Sequence, residues 1–161
     1  MTEPSKPTPA EKLSEVERVK LGSVGLRGQV AEQLASPEPF DDAHYQLLKF
    51  HGTYQGYDRD SATERKQRGE DKAWEFMIRA RIPGGRLTAQ QYLDLDDLAV
   101  RYGAGSLRVT TRQTIQFHAV AKGDLKATIA GINDALLTTL ATCGDVVRNV
   151  TASPAPIADD R

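Results

Sequence analysis

The alternating stretch at residues 106–118, SLRVTTRQTIQFH, limits the fold more than any other feature of this chain. Side chains alternate across a strand, so Arg108, Thr110 and Arg112 share one face. Gln116 and His118 share a face of the next strand, and Leu107, Val109, Ile115 and Phe117 take the opposite parity. A sheet with one apolar side and one guanidinium-bearing side can bury only the first under helices. The second calls for an anion, and a large one.

The segment WEFMIRARI repeats the arrangement. Trp74, Phe76, Ile78, Ala80 and Ile82 fall on one face, and Glu75, Met77, Arg79 and Arg81 on the other. Pro83, Gly84 and Gly85 end that strand. Thr88 with Gln91 three residues on predicts a capping box. The helix that follows runs to about Tyr102, with Tyr92, Leu95, Leu98, Ala99 and Tyr102 as its buried stripe. Strands at about 106–111 and 115–121 come next, joined by a tight turn. Asp124 is placed to cap a second helix with Ile129, Ile132, Leu136 and Leu140 on one face. A last strand is expected at 149–152, stopped by Pro154 and Pro156. Strand, helix, strand, strand, helix, strand is the ferredoxin-like split βαβ order, an α+β fold whose helices cover one sheet face. Phe76, Ile78, Leu107, Val109, Ile115 and Phe117 should face the helices. Arg79, Arg81, Arg108, Arg112, Gln116 and His118 should line the open face.

Composition divides the rest. Residues 1–12 hold three prolines and read as a disordered tail. Residues 13–72 form a helical and extended arm, expected to wrap around a larger body or meet an electron donor and to exchange its amides freely. Residues 73–156 form the half-domain, and 157–161 a tail. The charged run at 64–72, Lys122 and Lys126 read as solvated surface. Net charge is −1, so the arginines act locally and not as a global basic field. The open face lacks the stacking aromatics of an RNA reader, which argues against a nucleic-acid partner. One cysteine, Cys143, excludes an internal disulfide and a four-thiolate metal site, so no metal ligand set is assigned. No leader pattern and no apolar run of ~18 residues is present, and a cytoplasmic, membrane-free protein is expected.

Arginine matches carboxylates, phosphates and sulfur oxyanions bidentately. These residues alone leave a polycarboxylate cofactor, an oxyanion substrate or a nucleic-acid backbone open. TTRQTIQFH together with GDVVRNVTASPAP resembles the siroheme-binding half-domain of sulfite and nitrite reductases. KFHGTYQGYDRD and FMIRARIPGG are similar to the segments that precede it in assimilatory sulfite reductase hemoproteins. The resemblance runs from about residue 26 to 156. It implies six-electron reduction of sulfite to sulfide at siroheme coupled to a 4Fe–4S cluster. Siroheme carries eight carboxylates, which accounts for the arginines. By motif position Arg108, Arg112, Gln116, His118 and Asn149 would hold the macrocycle or shape its wall. Arg79 and Arg148 would be the catalytic arginines facing the substrate oxyanion and helping to relay protons.

The chain departs from the family in lacking its paired cluster cysteines and the lysine pair of the substrate pocket. The cluster ligands are therefore expected outside this chain, which would be the N-terminal part of a longer or split reductase and inactive alone. The implied partners are sulfite, or nitrite, the remainder of the reductase, and an electron-donating flavoprotein or ferredoxin. Two other readings stay open: a nitrite reductase fragment, and a stand-alone ferredoxin-like module binding an anionic ligand or a partner chain.

Overall fold

The computed structural model describes residues 13–144 and 146–153. The tails expected at 1–12 and 157–161 lie outside the described residues. The half-domain begins with β2 (Trp74–Ala80), a 3-10 turn at Pro83–Gly85 and helix α5 (Ala89–Tyr102). It continues with β3 (Arg108–Val109), β4 (Ile115–Val120) and helix α6 (Leu125–Asp134). Upstream lie α1 (Glu15–Gly22), α2 (Val30–Ala35), α3 (Asp42–Phe50), β1 (Thr53–Tyr57) and α4 (Ala62–Gln67). The four strands form one antiparallel sheet in the order β1–β2–β4–β3, with helices against one face: a ferredoxin-like half-domain.

Local chemistry explains the long helix. Thr88 Oγ1 accepts from the Gln91 N–H at 3.1 Å, and Gln91 Oε1 accepts from the Thr88 N–H at 3.1 Å, the predicted reciprocal cap. Leu95, Leu98 and Ala99 are buried against the sheet, whereas Tyr92 is half-exposed. Gly131 lets α6 approach α5, because a Cβ there would lie 2.5 Å from Leu98 Cδ2. Phe76, Ile78, Ile115, Phe117, Leu125 and Ile132 complete the core beneath.

A bulge in β4 keeps that core continuous. Phe117 opposes Ile78 while Val120 opposes Phe76, so β4 carries one extra residue, and Ala119 takes a positive φ of 56°. Phe117 and Val120 are three apart, which would put them on opposite faces of a regular strand. The bulge turns both into the helices, where both are fully buried.

Several expectations are corrected. No strand forms at 149–152. The edge of β2 that a closing strand would pair is taken by β1 from the arm, in register from Thr53↔Ile78 to Tyr57↔Trp74, and Arg79 N donates to Gly52 O at 2.9 Å. The segment after α6 meets the end of β2 at an isolated Arg81↔Thr138 bridge and through Thr142 Oγ1, which donates to Arg79 O. Strand β3 is two residues long, and Val109 is 76% exposed because the helices do not reach that edge. Leu107 is partly buried against the core, as expected. Helix α6 stops at Asp134, Leu136 turns to φ 58°, and Leu136 and Leu140 face solvent. Their helical spacing outlasts the helix itself.

The arm is not a loose wrapping. Phe40, Leu47, Leu48 and Phe50 are buried, and the Phe40 ring packs edge-on against Phe76 at 5.8 Å. Lys122 is not solvated surface either. Its ammonium donates to the carbonyls of Gln33, Ser36 at 2.8 Å and Glu38, and lies over the Phe40 ring at 4.4 Å. Burial pushes its pKa down. Ser36, Pro37 and Glu38 are thereby clamped to the half-domain.

Candidate functional site

Residues opposite one another in a ladder share a face. Arg79 on β2 opposes Gln116 on β4, and Gln116 opposes Arg108 on β3. The three strands thus lay Arg79, Gln116 and Arg108 in one row on the face away from the helices. His118 follows two residues along β4, and its Nε2 lies 3.1 Å from Gln116 Oε1.

Arg79 is the unusual member. It is 7% exposed. Its Nη1 donates to Thr114 Oγ1 at 3.1 Å, and Thr114 Oγ1 lies 2.7 Å from Thr110 Oγ1. Its Nε is buried and has no partner. No acidic side chain among the described residues pairs with Arg79, Arg81, Arg108, Arg112 or Arg148; the ion pairs lie elsewhere. A buried charge without a counterion is costly unless something else supplies one. The field of this row reaches His118: burial first, then the guanidiniums of Arg108 and Arg79, lowers its pKa below the usual 6.5.

Arg108 and His118 line a cleft of about 740 Å³ together with the acidic Asp58, Asp60 and Glu75 and the basic Arg59 and Lys72. Burial, and then Asp58 and Asp60, raise the Glu75 pKa.

A second group forms beside the β3–β4 turn. Arg112, Arg148 and Asn149 line a depression of about 690 Å³. Arg148 Nε donates to Gly144 O at 2.7 Å. Asn149, expected to help shape the wall of the site, is held by the backbone, while its Oδ1 is buried with no partner among the described residues. Its Nδ2 donates to the carbonyls of Ile82 at 2.9 Å, Arg112 at 2.8 Å and Gln113 at 3.3 Å, so the chain itself consumes both amide hydrogens. No hydrogen bond joins this group to the sheet-face row among the described residues.

Arg79 and Arg81 alternate to the same face, and the structure separates their roles. Arg81 Nη2 donates to the carbonyls of Ala141 and Val147, both at 2.8 Å, which turns it toward the loop carrying Arg148. Sequence reading missed Thr114 and Gln113. Both fall in the expected tight turn at 112–114, and Gln113 meets its partner 39 residues later.

Comparison with known proteins bears on the half-domain. Residues 67–135 match the nitrite/sulfite reductase ferredoxin-like half domain. The chain carries a nitrite/sulfite reductase ferredoxin-like half-domain. It is 50% identical over 145 residues to the sulfite reductase (NADPH) hemoprotein beta-component of Shouchella clausii, covering 89% of this chain and 25% of that protein. It is 50% identical over 151 residues to the protein of that name from Methylocella silvestris, covering 92% and 26%. The chain thus spans about a quarter of the length of these relatives. The structure of the Mycobacterium tuberculosis NirA protein shares the half-domain fold, with a TM-score of 0.71 at 22% identity, covering 88% of this chain and 28% of that one. Among the described residues no helix is long and apolar enough to cross a membrane.

Proposed function

We propose that this chain supplies the siroheme- and substrate-facing surface of a cytoplasmic sulfite reductase. The observation that carries the reading is the buried Arg79 guanidinium, with an unpartnered Nε and no carboxylate, in a row with Arg108, Gln116 and His118. The residues present fit siroheme: cations and hydrogen-bond donors that no acid among the described residues pairs with suit a macrocycle rimmed with carboxylates. When bound, siroheme supplies the iron at which sulfite takes up six electrons, delivered through a 4Fe–4S cluster whose thiolates come from outside this chain. Arg108, Arg112, Gln116 and His118 would hold the carboxylates. A neutral His118 serves as a donor without adding charge.

Arg79 would hold the substrate oxyanion. Burial strengthens its attraction for negative charge. Arg148, tethered through Nε to Gly144 O, shares a depression with Arg112 and would meet both the substrate oxyanion and the carboxylates held there. Charge stabilisation of this kind, fixed before reaction, lowers the barrier without reorganisation. The relatives' names favour NADPH as the electron source, through a flavoprotein in place of a ferredoxin, and sulfite over nitrite.

The test is siroheme binding by the purified 161-residue chain, followed by absorbance. Binding that weakens at least tenfold in Arg108→Ala and Arg112→Ala is expected. Undiminished binding in both variants overturns the assignment. Failure of the native chain to bind siroheme while it binds another anion at this face supports the stand-alone module. With a reduced viologen dye the chain should release no sulfide, because its one cysteine, Cys143, is buried and cannot build a cluster. Sulfide release would refute that part.

A further inference from the structure

We infer that Gln113 is a positioning residue that sets the spacing between Arg112 and Arg148. Its amide stands in for the strand missing at 149–152. Nε2 donates to Ala152 O at 2.6 Å, and Oε1 accepts from Ala152 N at 2.8 Å, a two-way pairing like one rung of a β-ladder. The backbone of Gln113 takes φ 55°, a conformation disfavoured for a residue with a side chain and retained only where its surroundings impose it. Gly85 leaves the room for it, since a Cβ there would lie 3.0 Å from Gln113 Cβ.

The geometry works as one joint. Arg112 sits on the β3–β4 turn, and Arg148 on the segment that leads to Ala152. Gln113 ties the turn to Ala152, and Asn149 ties that segment back to the carbonyls of Arg112 and Gln113. Gly84 N donates to Val150 O at 2.8 Å, fixing the same segment to the end of β2. Arg112 and Arg148 line one depression, yet no direct bond between them sets their separation. Two guanidiniums close on one polyanion only if that separation is held before the ligand arrives, because ordering them on binding costs affinity. Gln113 holds it without touching the ligand. The inference rests on the polyanion-binding reading of this face.

A double-mutant cycle tests it, with uroporphyrin, an eight-carboxylate porphyrin, as the probe. Gln113→Met keeps the side-chain volume and removes both hydrogen bonds. Relative to the native chain, Gln113→Met and Arg112→Ala should each weaken binding about tenfold. Gln113→Met should cost nothing further in the Arg112→Ala background, since the spacing no longer matters once one guanidinium is gone. A merely structural role would cost the same in both backgrounds, and that additive result, or native-like binding by Gln113→Met, overturns the inference. Ala152→Pro deletes the N–H from the other side of the pair and should reproduce the loss, which keeps the test standing if Gln113→Met does not fold. Native-like binding by Ala152→Pro likewise overturns the inference. No binding by the native chain overturns the polyanion reading and this inference with it, whereas additive losses overturn this inference alone.

Discussion

At Arg79 the fold buries a guanidinium with no carboxylate beside it. Without ligand that arrangement should cost stability. Arg79→Met, of similar length and able to pack among the same neighbours, is expected to stabilise the free chain by about 1–2 kcal/mol in urea denaturation while abolishing anion binding. A loss of stability would mean that the Thr114 hydrogen bond outweighs the buried charge. His118 offers a second check. Its folded pKa is lowered by burial and by Arg108 and Arg79, so the unfolded chain takes up the proton first. The stability it contributes is complete above pH 6.5 and is lost as pH falls below 6.5 toward the folded value. NMR titration should place His118 below 6.5 in the free chain and higher once a polycarboxylate sits beside it. The arginines of this face were legible from alternation alone, because parity on a strand needs no tertiary information. The burial of Arg79 was not, since it depends on Thr114 and on the strand that flanks β2.

Among the elements, the joint between α3 and β1 bears the closest packing. Gly52 has φ 76°, and a Cβ there would lie 2.3 Å from Thr139 O and 2.5 Å from Thr142 Oγ1. Thr142 Oγ1 also donates to Arg79 O at 3.0 Å, so the same joint supports the site. Gly52→Ala combines a disfavoured backbone with a clash against main chain that cannot yield. It is expected to cost more than about 2 kcal/mol by chemical denaturation and to weaken anion binding in step. The capped start of α5 was readable because a capping box is local, four residues long. The end of α6 was not, because Leu136 and Leu140 continue the helical spacing after the backbone has turned away.

For the whole molecule, the strand contributed by the arm matters most. With β1 in place, the outer edge of β2 is paired; without it, that edge would present free N–H and C=O groups beside a cationic face. Hydrogen exchange should find amides in 53–57 protected with those of β2 and β4. Exchange at loop rates would show that β1 detaches. A chain begun at residue 67, where the family match starts, should be markedly less stable and prone to associate. What the sequence by itself determined is the alternating pattern, the strand–helix order as far as α6 and the placing of Arg79, Arg108 and Gln116 on one face, all consequences of near-neighbour spacing along the chain. Tertiary structure decided which segment closes the sheet, which arginine is buried and which is spent on main-chain carbonyls, and how Gln113 meets Ala152. Those outcomes depend on which distant groups compete for the same hydrogen bonds, and no local pattern encodes that competition.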